Sequence, residues 1–325
     1  MEIKQIRLGS LLLPSNVFMA PLAGYTCYPF RMLAYEMGAG LCFTEMVSAN
    51  ALKYEDRATK RLLFTTEEEK IRAVQLLGGN PAVMEQMACS GLLEDADLID
   101  INMGCPVPNV FKSGEGSALM LDPKRASAII RGCKKSGKPV TVKFRTGIRE
   151  DFLFAAEFAR VCEASGADLI TIHGRSRSMM YDGEPYYEEI EQAKAAVSIP
   201  VIANGGICSV ASAERMMDRT GADGVMPARY ALEHPWIFSE LTGRPCSKTA
   251  FQIVTEQLAL TSRYYDETFT LVYMRKLASY MMKKRRGTKR YKARLYQSGS
   301  LEELREVLER IFLPEQGEPD APAEG

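Results

Sequence analysis

Through the first 230 or so residues, short apolar runs alternate with longer stretches in which apolar side chains recur every three or four positions. Short runs bounded by turn formers read as buried strands, and the longer pattern reads as amphipathic helices. Eight such runs occur: NVFMA (16–20), LCFTE (41–45), RAVQLLG (72–78), LIDINMG (98–104), PVTVKFR (139–145), DLITIHG (168–174), PVIANGG (200–206) and DGVMPAR (223–229). Between them, DPKRASAIIRGCKKSG (122–137) and DFLFAAEFARVCEASG (151–166) each open on Asp and close on Gly, which predicts a helix with an N-cap and a C-cap. SGAD before the sixth run and TGAD before the eighth repeat one pattern of helix end, glycine and strand start. Eight β/α units over residues 1–240 predict an α/β chain folded as a (β/α)8 TIM barrel. A doubly wound sheet would carry a Gly-rich phosphate loop after its first strand, and no GxGxxG occurs.

After Trp236 the texture becomes helical and poor in strands, so residues 245–313 are expected to form a small C-terminal helical bundle. PEQGEPDAPAEG (314–325) is acidic and almost free of large apolar side chains, the composition of a disordered tail.

Charge changes this picture only locally. Lys and Arg number 41 and Asp and Glu number 41, so net charge favours no polyanionic partner. The eight cysteines contain no CxxC pair and only two histidines are present, which argues against a metal site and for free thiols in a reducing compartment. The N-terminus lacks the pattern of a secretory signal, and no apolar stretch approaches the ~18 residues needed to span a bilayer. A cytoplasmic enzyme with no membrane association, acting as a monomer, is the expectation.

In a barrel the active site lies at the C-terminal ends of the strands. Those ends carry Pro21 to Gly24, Glu45, Gln75, Asn102 with Cys105, Lys143 with Arg145, His173 with Arg175, Asn204 to Gly206, and Arg229. Gly205 and Gly206 with Arg229 suit a phosphate site after strands seven and eight, although a plain tight turn would also use the glycines. Lys143 and Gln75 are spaced to point into the barrel mouth, where a lysine needs an anion or dipole to offset its burial. His173 gains weight only from its neighbours.

Cys105 follows a strand that ends at Gly104, in the loop at the mouth. A thiol with a pKa near ~8.5 is mostly protonated at neutral pH and can act as a general acid without tuning. A nucleophilic role would need a base to depress that pKa, and His173 stands as a candidate.

Taken in order, these segments resemble the tRNA-dihydrouridine synthases. APLAGYTCYPFR (20–31) is similar to that family's opening motif, INMGCP to its active-site stretch, VTVKFRTG to its lysine strand and ITIHGRSR to its HGR segment. VIANGGI and DGVMPAR resemble its phosphate-binding ends, HPWIF its N-PWIF turn, and MRKLASYMMK its helical RKH-x-x-Y motif. The resemblance implies an FMN-dependent barrel that reduces the C5=C6 bond of particular uridines in tRNA, with NADPH as electron donor. By position it implies that Pro21, Leu22, Ala23, Gln75, Lys143, His173, Asn204, Gly205, Gly206, Ala228 and Arg229 hold FMN. Cys105 would protonate C5 as hydride from flavin N5 reaches C6; Asn102 would orient flavin and uracil, and Arg175 and Tyr25 would hold the base. Four positions depart from the family pattern: Cys27 replaces Asp, Leu277 replaces His, and Pro227 with Ala228 replace the usual IG.

From Arg275 to Arg294 the chain holds ten Lys and Arg and no Asp or Glu. Arg275, Lys276, Lys283, Lys284, Arg285 and Arg286 are the expected tRNA contacts, a reading that competes with an ordinary solvated helix face. Two rival functions also fit parts of the pattern: a flavin-dependent reductase of a free pyrimidine or other small enone, and a non-catalytic RNA-binding relative.

Overall fold

In the computed structural model, which describes residues 2–283, 285 and 287–313, the eight apolar runs become eight parallel strands in a closed ring. Strands three to eight are Ala73–Leu77, Leu98–Met103, Val140–Arg145, Leu169–His173, Val201–Asn204 and Gly224–Met226, paired in chain order. The first strand, Phe18–Met19, pairs with the second at Leu41–Cys42, and Val47–Ser48 continues the second along the third. Bridges from Val17 to Val225 and from Phe43 to Ala73 close the barrel.

Successive side chains on a strand point to opposite faces, and the core divides accordingly. Ile99 and Ile101, Ile170 and Ile172, Val201 and Ala203 face outward into one cluster shared with the surrounding helices. Leu98, Leu169, Ile202, Phe18, Leu41 and Ala73 face inward and form a second cluster at the strand starts. An antiparallel hairpin, Ile6–Leu8 with Leu11–Leu13, adds Ile6, Leu8 and Leu13 to that cluster and so plugs the N-terminal end of the barrel.

The aspartates of the repeated strand starts join neighbouring units. Asp168 accepts from the backbone N–H of Val140 and from Lys134 Nζ, and Asp223 does the same with Val201 and Lys194. Asp97 accepts from the N–H of Arg72 in the same way. The expected N-caps divide: Asp122 caps helix Pro123–Lys134 through the N–H of Arg125, but Asp151 caps no helix among the described residues. Gly147–Arg149 and Phe152–Leu153 pair as a short hairpin, so Asp151 sits in its turn with Arg149 and the helix begins only at Ala155.

The C-terminal segment is a small helical bundle: Ala250–Tyr264, Glu267–Met281, Lys292–Gln297 and Leu301–Phe312. Its buried side chains join the core of the barrel's first helix, Tyr28–Glu36, and Gln257 Nε2 donates to the Pro29 carbonyl across the seam. Lys284, Arg286 and the acidic segment 314–325 lie outside the described residues. Among the described residues, no helix is long and apolar enough to cross a membrane.

Candidate active site

The alternation that fills the bottom of the barrel with apolar side chains brings polar ones inward at the top. Asn102, Lys143, Arg145, His173 and Asn204 line one cavity of about 460 Å³ at the C-terminal strand ends. Loops add Pro21, Leu22, Cys105, Arg175, Gly205, Gly206, Ala228 and Arg229, and the helical bundle adds Tyr280 and Lys283 at the rim. Five cationic side chains face this space against one carboxylate, Glu233, among the described residues.

Among the described residues Lys143 Nζ makes one hydrogen bond, 3.0 Å to Asn204 Oδ1, and Asn204 is held in turn by its Nδ2 donating to the Met226 carbonyl. Burial, then Arg145, push the Lys143 ammonium down to about 8. His173 is held well below its usual range by burial and by the cations around it, so its imidazole is neutral. Arg175 Nη1 lies 3.4 Å from His173 Nε2 and can only donate, so the ring proton is on Nδ1. Gly205, at φ +118°, is required here because a Cβ would stand 2.9 Å from His173 Cδ2.

The backbone N–H of Cys105 donates to Asn102 Oδ1 at 2.9 Å, and its carbonyl accepts from Ser117. Burial raises the thiol above its ordinary pKa. A nucleophile would need the opposite shift, and the neutral His173 supplies no positive charge to cause one.

Arg145 donates to the carbonyls of Gly104, Ser176 and Met180, and Arg175 to those of Asp182 and Gly183. Together they pin the loop that carries Tyr181 to the mouth, where its ring stacks 4.4 Å from the Arg229 guanidinium. Two buried arginines thus spend their donors on backbone, so Arg175 holds a loop, and its Nη1 faces His173.

Several expected site residues lie elsewhere. Gln75 is buried beneath the cavity lining, with Nε2 donating to Asp100 at 2.6 Å in the layer below and Oε1 accepting at 2.9 Å from Nδ2 of Asn102 in the lining, so both ends are taken. Ala23 is exposed outside the cavity lining. Tyr25 also lies off the cavity, packed edge-on against Tyr280 at 5.3 Å with Lys276 above its ring, and so closes the seam between barrel and bundle. Lys276 Nζ donates to the Gly24 carbonyl and an Arg275 guanidinium N–H to that of Ser298, so both half-buried cations serve internal carbonyls. Arg285 lies over the Phe312 ring at 5.5 Å. Lys283 is the described member of the expected RNA set at the rim, paired with Glu233 at 2.7 Å and lying over the Tyr280 ring.

Residues 18–316 match the family described as dihydrouridine synthase (Dus). This chain belongs to the dihydrouridine synthase family. It is 41% identical over 234 residues to tRNA-dihydrouridine synthase B of Pasteurella multocida, a match covering 72% of this chain and 70% of that protein. The Pseudomonas aeruginosa protein of the same name is 34% identical over 298 residues, covering 89% and 90%. In fold the chain is similar to a 2-naphthoyl-CoA reductase solved with 2-naphthoyl-CoA, with TM-score 0.57 and 11% identity over 74% of this chain and about half, 52%, of that one.

Against the family pattern, Leu277 has an apolar home, fully buried in the bundle core. Cys27 is buried beside Tyr273 and Glu45, and burial pushes its thiol up to about 12. Reading strand ends alone missed Asp100, Tyr181 and Tyr280. Asp100 had a signal, because it shares a strand face with Asn102 two residues on; Tyr181 and Tyr280 reach the cavity from a long loop and a distant helix.

Proposed function

We propose that this protein is an FMN-dependent tRNA-dihydrouridine synthase that takes its electrons from NADPH and acts as a monomer in the cytoplasm. The observation that carries the reading is the placement of the Cys105 thiol on the same cavity as Lys143, His173, Asn204 and Arg229. The lining suits a flavin. A partly buried ammonium with one side-chain acceptor leaves Lys143 donors for the anionic edge of a reduced ring, and the excess of cations calls for an anionic ligand. Gly205, Gly206, Ala228 and Arg229 suit the phosphate. Pro21 and Leu22 suit the apolar face of the ring.

FMN held by these residues would supply the hydride for C6 of the uracil. Cys105, kept protonated by burial, gives its proton to C5, and Asn102 holds the cysteine backbone in place for that transfer. Arg145 and Arg175 anchor the loop over the mouth, which helps exclude water. Residues 1–240 form the catalytic barrel in this reading and residues 245–313 the unit that grips tRNA, with Lys283 and the exposed Lys289 and Lys292 meeting phosphates. The target uridine must leave its stack to enter. Reduction of a free pyrimidine would leave the rim built by Tyr280 and Lys283 without a purpose.

The test is direct. The purified protein should be yellow with bound FMN, and a strain lacking the gene should lose dihydrouridine at particular tRNA positions. Restoration by the wild-type gene and not by Cys105→Ala is expected; unchanged dihydrouridine in the deletion strain would overturn the proposal.

A further inference from the structure

A chain of hydrogen bonds runs through the barrel below the cavity floor. Thr141 Oγ1 donates to Asp100 Oδ1 at 2.6 Å and Gln75 Nε2 to Asp100 Oδ2 at 2.6 Å. Asn102 Nδ2 donates to Gln75 Oε1 at 2.9 Å, and Asn102 Oδ1 accepts from the backbone N–H groups of Gly104 at 3.1 Å and Cys105 at 2.9 Å. Gln75 and Asp100 are register partners on neighbouring strands, as are Asp100 and Thr141, so the barrel itself holds these three side chains level.

We infer that Asp100 is a positioning residue whose carboxylate, acting through Gln75, fixes the direction of the Asn102 amide and with it the place of Cys105. An amide offers a donor at one end and an acceptor at the other, and either end can be turned toward a neighbour. An ionised carboxylate only accepts, so Gln75 must turn its NH2 to Asp100 and its oxygen to Asn102. Asn102 must then give its NH2 to Gln75, which leaves its oxygen for the amides of Gly104 and Cys105. Were either amide reversed, like would face like in a buried site and leave polar groups there unpaired, which is costly. Burial raises the Asp100 pKa to about 6, which leaves it ionised at neutral pH. No other carboxylate touches the chain of bonds from Thr141 to Cys105 among the described residues.

This inference rests on the reading of Cys105 as the acid, and two readouts keep them apart. The first is hydrogen exchange at the Cys105 backbone amide in the flavin-loaded full-length protein, which reports the bond to Asn102 whatever the protein's activity. The second is the rate at which dihydrouridine-free tRNA reoxidises the reduced flavin in a single turnover, against the rate of flavin reduction by NADPH. Gln75→Glu sets two carboxylates against each other and should speed exchange at Cys105 and slow reoxidation by tRNA by about tenfold to a hundredfold, with flavin reduction by NADPH little changed. Adding Asp100→Asn to that variant moves the acceptor one link along the chain and restores every direction, so exchange and reoxidation should both return to within about threefold of the parent, the margin being an order-of-magnitude allowance for altered charge. A merely structural role predicts no such rescue. If the double variant exchanges and reoxidises no better than Gln75→Glu alone, or if exchange at Cys105 is parental in both, the inference falls. If exchange follows the predicted pattern while reoxidation does not, the chain of bonds stands and the acid role of Cys105 falls.

Discussion

Lys143 Nζ donates to Asn204 Oδ1 across 3.0 Å, joining the fifth barrel strand to the seventh over the top of the sixth. The bond holds a cation against the cavity where burial works to discharge it, so the lysine carries both the reason to bind an anion and a titration close to physiological pH.

Flavin affinity should therefore depend on pH. Burial lowers the Lys143 pKa to about 8, so the ammonium is present below that pH and lost above it. The dissociation constant of the apoprotein for FMN, measured by fluorescence quenching, should rise as pH climbs through about 8. Lys143→Met should bind FMN more weakly and abolish that dependence, and a variant as tight as the parent at pH 7 would exclude the contact.

Cys105→Ala separates the two halves of turnover. Reduction of the bound flavin by NADPH should proceed at the parental rate, while reoxidation by tRNA should fall on the order of 10²- to 10⁴-fold, the usual contribution of a positioned acid. Because burial raises the thiol above its ordinary pKa, the parental reoxidation rate should hold level through neutral pH and lose the thiol's contribution only in alkaline solution, as the proton is lost. A decline already complete below neutral pH would point to a thiolate.

Lys283→Gln should weaken tRNA binding and reduce its salt slope by about 1, as expected when one phosphate contact is removed. Lys276→Gln should leave that slope unaltered, because the Lys276 ammonium is held by the Gly24 carbonyl and the Tyr25 ring. Its effect should appear as a lower melting temperature. Equal salt slopes for the two variants would remove the distinction between rim and seam.

Arg31 and Glu69 form a two-pronged buried pair at 2.5 and 2.7 Å, and Arg31 also donates to the carbonyls of Thr26 and Phe64. Breaking such a pair from one side leaves a charge uncompensated in the core, so Glu69→Leu should cost about 3–5 kcal/mol in denaturant unfolding. Bound FMN should stabilise parent and variant alike and leave this difference unchanged, since neither residue lines the active-site cavity.

The chain order alone determined the barrel, because each strand of a parallel ring is buried on both sides and so writes its own apolar run, separated from the next by helical periodicity. It also determined that Asn102, Cys105, Lys143, His173 and Asn204 would share a mouth, since position at a strand's end is a one-dimensional property. What tertiary structure decided was which neighbour each polar group would spend its bonds on. Gln75 and Asn102 both lie near strand ends, yet the register that sets Gln75 beside Asp100 draws it beneath the floor. The basic run from Arg275 to Arg294 has one composition throughout, and only the packing of the bundle on the first barrel loop turns Lys276 inward to Gly24 and leaves Lys283 at the rim. Hydrogen-bond partners depend on angles and distances between segments far apart in the chain, and a linear pattern of apolar and polar residues carries no record of them.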